Sequence, residues 1–148
     1  MKKLVFLMFA FIIASTSQAQ IGKEFYNKYS DAKGVQTTYI SPSMFKQMDQ
    51  EALNIQCDNI SLKSVHGMYV IDCDDPATIK RIKKDIDLKL SQNEFELMIE
   101  SKDGDDCSRI YMAKKGNDTI GLVIFSEDSE DLNIVFIDGS TNGSTNED

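Results

Sequence analysis

The chain has 148 residues, 27% of them charged and 41% hydrophobic, with 16 basic side chains against 24 acidic ones and a formal net charge of −8. That composition excludes a disordered or fibrous chain and fits one domain large enough to bury a core. The acidic balance argues against nucleic acid as a partner, and the single histidine, His66, rules out a two-histidine zinc site.

Met1, Lys2 and Lys3 give a positive start, Leu4 to Ala14 an unbroken apolar run of eleven residues, and Ser17-Gln18-Ala19 a small-x-small cleavage pattern. Residues 1–19 therefore read as a signal peptide cleaved before Gln20, and the run is about half of what crossing a bilayer takes. The expected product is exported, periplasmic or secreted, with no transmembrane anchor after cleavage. Losing Lys2 and Lys3 takes its net charge to about −10.

The single domain is expected over 20–138. Ile21, Phe25 and Tyr29 recur at a spacing of four before Gly34, a short helix with a glycine stop. Val35 to Ile40 alternates as a strand. Ser41-Pro42 caps a second helix with its stripe on Met44, Phe45, Met48 and Ala52, and Leu53 to Ser61 reads as loop. Leu62 to Cys73 is a second strand bent at Gly67. Asp75-Pro76 then opens the clearest helix, with Ile79, Ile82, Ile86 and Leu90 on one side. Four strands follow, Phe95 to Lys102, Ser108 to Lys114, Thr119 to Ser126 and Leu132 to Asp138, separated by turn residues. Residues 139–148 repeat Gly-Ser-Thr-Asn and form an expected disordered polar tail. The order predicts an α+β fold: a mixed, mainly antiparallel sheet with helices packed on one face, ending in a β-meander.

The helix Phe25-x-x-x-Tyr29, the segment Lys33-Gly34-Val35, the turn Tyr39-Ile40-Ser41-Pro42-Ser43-Met44-Phe45, and the runs at Phe95 to Met98 and Ile134 to Gly139 carry a family resemblance. They resemble the small exported Bacteroidetes proteins grouped as domain of unknown function 4252. The resemblance spans residues 21 to 139 and implies an exported α+β domain of undetermined activity, with no catalytic residues to carry over. The cysteines lie outside the shared pattern.

Cys57, Cys73 and Cys107 allow one intramolecular bridge in three pairings. Cys57 with Cys73 is the candidate disulfide, because Cys57 sits in a polar stretch free to fold back; three buried thiols are the alternative. His66 and Cys73 are seven apart on one strand, which alternation places on opposite faces unless Gly67 carries a bulge. The carboxylates at Asp103 to Asp106 and Glu127 to Asp131 have calcium's ligand type without EF-hand spacing, and read as solvated turns rather than a calcium site. No cofactor is expected.

The third helix concentrates Lys80, Arg81, Lys83, Lys84 and Lys89 in an otherwise acidic chain. Lys80, Arg81, Lys83 and Lys84 form a candidate docking face for an acidic envelope protein or an anionic lipid surface, or else a solvated face held by the protein's own carboxylates. Asp118-Thr119-Ile120 resembles the Asp-Thr-apolar O-glycosylation signal of exported Bacteroidetes proteins, with Thr119 as the candidate site. The functional expectation is a non-enzymatic module that binds a protein or an envelope component through a sheet edge or the basic helix. A thiol-dependent or hydrolytic enzyme using one of the cysteines, and a regulator of envelope stress, are the alternatives.

Overall fold

A computed structural model describes residues 21–48 and 64–140. Helix α1 (Ile21–Tyr29) buries Ile21, Gly22, Phe25 and Tyr29, the spacing that places one stripe on one face. The chain leaves it through Gly34 at φ +72°, where a Cβ would also come within 2.5 Å of Asp75 Cβ, so only glycine fits. Strand β1 (Val35–Ile40) leads to α2 (Pro42–Gln47), whose cap Ser41 accepts the Met44 N–H at 3.3 Å. This helix is shorter than its predicted stripe. Met48 is already extended, at φ −76° and ψ 135°, while Ala52 and the predicted loop at 53–61 lie outside the described residues.

Strand β2 (Ser64–Cys73) carries the predicted irregularity as a register shift between Val65 and Gly67. Helix α3 (Pro76–Leu90) starts where the sequence places it: Asp75 Oδ2 accepts the Thr78 N–H at 3.0 Å and the Thr78 hydroxyl at 2.9 Å. Thr78, Ile82, Ile86 and Leu90 are buried, and Ile79 is only partly so, because the stripe drifts toward the Thr78 side in the first turn. Then come β3 (Phe95–Asp103), β4 (Asp106–Lys115), β5 (Asp118–Glu127) and β6 (Leu132–Ser140). The last strand passes the predicted boundary at Asp138, since Gly139 pairs with Val65 and Ser140 with Ser64. Residues 141–148 lie outside the described ones.

The six strands form one sheet in the order β1-β2-β6-β5-β4-β3, and every pairing is antiparallel. This is the expected α+β arrangement with β3 to β6 as the closing meander. The β2–α3–β3 connection crosses over β6, β5 and β4, so α3 lies on the sheet and strands at the far side are left at an edge. With α1 it covers one face, where Ile82 and Ile86 meet Ile71, Phe125, Ile134 and Phe136. Each such side chain contributes about 1.5–3 kcal/mol by leaving water. The short α2 lies against the other face instead, its Phe45 on the cluster of Met68, Leu122 and Ile137. Among the described residues no helix is long and apolar enough to cross a membrane.

Candidate functional site

The basic helix divides in two. Lys83 Nζ lies 2.6 Å from Glu127 at the end of β5, and Lys89 lies 4.0 Å from Glu24 of α1. Arg81 donates to the Thr78 hydroxyl at 3.3 Å. Lys80 and Lys84, one turn apart, are exposed and form no ion pair with the described residues. The candidate face of Lys80, Arg81, Lys83 and Lys84 is thus partly consumed by the protein's own carboxylates. Deeper in the same layer, Asp85 joins α3 to α1: it accepts from Lys28 Nζ at 2.6 Å and from the Tyr29 hydroxyl. The Lys28 contact first, and the Tyr29 one second, hold Asp85 below the usual carboxylate range, while burial and Asp85 push the Tyr29 phenol up.

The residues considered for chemistry do not converge. His66 is the extra residue of the β2 bulge and is exposed, whereas Cys73 is buried at the far end of that strand, roughly 23 Å along it. Burial raises the Cys73 thiol, the opposite of nucleophile activation, and its Sγ donates to the Asp75 carbonyl at 3.8 Å. Cys73 and Cys107 are both free thiols, in one row of the sheet with β6 and β5 between them, roughly 14 Å apart and beyond bridging reach. Cys57 lies outside the described residues, and with it the partner half of the Cys57–Cys73 candidate.

The β5–β6 loop folds on itself, Asp128 Oδ1 accepting the Glu130 N–H at 2.8 Å and the Asp131 N–H at 2.7 Å. Those bonds hold Asp128 below the usual range. With Asp74, Lys80 and Lys83 the loop encloses an open depression of about 630 Å³ lined by both signs of charge. Among the described residues no group of three or more His, Cys, Asp or Glu is arranged to hold a metal ion. Thr119 does sit beside a hairpin turn, but it is only 7% exposed and its hydroxyl lies 3.1 Å from Met112 Sδ.

Two features escaped the sequence reading. The first is β3, an edge strand with no neighbour on its outer side among the described residues. It presents three successive apolar residues, Leu97, Met98 and Ile99, at 46, 41 and 46% exposure, around a register shift between Leu97 and Ile99. Leu97 pairs with Tyr111 and Ile99 with Ile110, so the shift sends the two side chains to opposite faces. The second is Asp138, 6% exposed in the core, where desolvation raises its carboxyl to about 7. Beside it three tyrosines gather, with Tyr69 centred 5.6 Å from Tyr26 and 4.9 Å from Tyr39. The alternation Leu132, Ile134, Phe136, Asp138 is the signal that places Asp138 inward.

Six antiparallel strands, two helices on one face and an open apolar edge define a small α+β domain whose free surface is a strand. The family model for a domain of unknown function, DUF4252, matches residues 29–142, and the chain belongs to that family. No curated protein and no solved structure matches it.

Proposed function

We propose that the protein is an exported, non-enzymatic binding module that takes up an extended segment of another envelope protein as a seventh strand beside β3. The observation that carries this is the Leu97-Met98-Ile99 run, exposed on a strand whose outward N–H and C=O groups have no strand partner among the described residues. Edge strands that work alone are usually blunted by charge, proline or cover, and this one is apolar at its centre. Glu96 pairs with Lys114 across the strand, and Glu100 lies 3.3 Å from Lys102 and 3.9 Å from Arg109, so the strand's own charges are largely met and the complementary segment is apolar at its centre. The leader-like sequence at 1–19, with its small-x-small pattern at Ser17 and Ala19, supports a periplasmic or secreted location.

A second surface rests on Lys80 and Lys84, exposed and unpaired among the described residues, which suit an acidic envelope protein or an anionic lipid surface. Capture from envelope extracts separates the two. Leu97→Lys/Ile99→Lys should lose the captured partner at every salt concentration, whereas Lys80→Glu/Lys84→Glu should leave it bound. Loss with the helix variant alone, relieved by salt in the wild type, would assign the docking to α3 instead.

A further inference from the structure

A cleft opens between α1 and α3 in the helix layer. Its α1 wall rests on β2 and β6, so β5 and β4 lie between that wall and the open edge at β3. Tyr29 ties the two helices together at its base: the hydroxyl donates to Asp85 and lies 3.4 Å from the Arg81 carbonyl. Arg81, Lys84 and Asp85, spaced by three and four residues, share one face of α3, and Lys28 reaches them from α1. With Tyr29 and Ala32 they enclose about 310 Å³, room for a small solute.

The lining sets three cations against the single carboxylate of Asp85, a positive excess in a chain whose net charge is −8. In the depression beside the β5–β6 loop the balance is reversed, since Asp74 and the carboxylates of residues 127–131 outnumber Lys80 and Lys83. Asp85 is engaged by Lys28 at 2.6 Å and by Tyr29, whereas Arg81 and Lys84 form no ion pair with the described residues. One Arg81 nitrogen donates to the Thr78 hydroxyl at 3.3 Å, which leaves donors of the guanidinium fork for a ligand. The end of α1, where bare carbonyls would repel an anion, is blunted: the Ser30 and Ala32 N–H groups take the Tyr26 and Tyr29 carbonyls at 3.0 and 2.9 Å.

We propose that the α1–α3 cleft binds a phosphate monoester through the Arg81 guanidinium and the Lys28 and Lys84 ammonium groups, with Asp85 limiting the affinity. A monoester carries nearly two negative charges at neutral pH and offers oxygens to a guanidinium fork, which a single carboxylate matches less well. The site shares Lys84 with the outward surface described above, adds Lys28 and Arg81 around a concavity, and is independent of strand addition at β3. Asp85 has a double effect. It draws Lys28 toward itself and repels the incoming anion, so the charge that ties the helices also weakens the site.

Titration of isotope-labelled protein with inorganic phosphate, at an ionic strength held constant with sodium chloride, reads the site through the amide resonances of residues 28–32 and 81–85. They should move saturably at millimolar phosphate. Arg81→Gln and Lys84→Gln, at exposed positions that leave the fold intact, should each weaken binding about tenfold. Asp85→Asn should strengthen it about threefold, the opposite sign from a loss of structure. Vesicles of phosphatidylcholine with and without phosphatidic acid separate the sources of the monoester. Flotation that needs phosphatidic acid and is lost in Arg81→Gln assigns a lipid headgroup to the site, and phosphate binding without flotation assigns a soluble monoester. Shifts that chloride reproduces, or that Arg81→Gln leaves unchanged, or that Asp85→Asn weakens, overturn the site.

Discussion

Strands β6 and β3 have similar apolar centres and opposite fates. Ile134, Phe136 and Ile137 of β6 are fully buried, whereas Leu97, Met98 and Ile99 of β3 are the most exposed apolar run of the sheet. The difference is one of position. β6 lies between β2 and β5 beneath α1 and α3, while β3 closes the sheet on the side where the crossover from α3 ends. Apolar side chains in the centre are explained by packing. On the edge they remain unexplained until something covers them, which is why the edge carries the functional reading.

The largest test of that contrast is Ile82→Asp, which places an unpaired charge against the buried face of β6 and β5. It should remove at least about 5 kcal/mol, most of a typical domain's stability, and show as a lost melting transition by circular dichroism. Phe136→Ala should follow at about 3–5 kcal/mol. Asp85→Asn weakens the link from α3 to Lys28 and Tyr29 and should cost about 1 kcal/mol at neutral pH. Because the folded pKa of Asp85 is depressed, its contribution is present above about pH 4 and is lost as pH falls through the lower folded value. Acid titration of stability should therefore be flatter in the variant than in the wild type. Leu97→Lys/Ile99→Lys should change stability by less than about 0.5 kcal/mol per site while removing the captured partner. Smallest of all, Lys80→Glu/Lys84→Glu should leave both stability and capture nearly unchanged, with melts within error at physiological salt.

Local structure was legible in the sequence where a few adjacent residues decide it. Asp75-Pro76 marked the start of α3, Ser41-Pro42 that of α2, and Gly67 the bulge, because capping and backbone geometry are short-range. The position of β6 between β2 and β5 was not legible, since alternation says which side chains share a face and nothing about which strands are neighbours. The same gap hid the candidate site: Leu97-Met98-Ile99 reads as an ordinary buried strand until its place at the edge is known. Asp138 was missed for a different reason, as a carboxylate next to a glycine reads as a strand end, whereas β6 continues to Ser140. The basic helix was legible as a charge cluster, but its pairing of Lys83 with Glu127 depends on a contact between distant segments.

Amide hydrogen exchange of the protein, alone and with any partner captured by it, tests strand addition most directly. New protection should concentrate on Phe95–Asp103, whose outward amides acquire hydrogen-bond partners only if a strand is added beside them. Protection that appears instead on α3 around Lys80 and Lys84, with β3 unchanged, would contradict it.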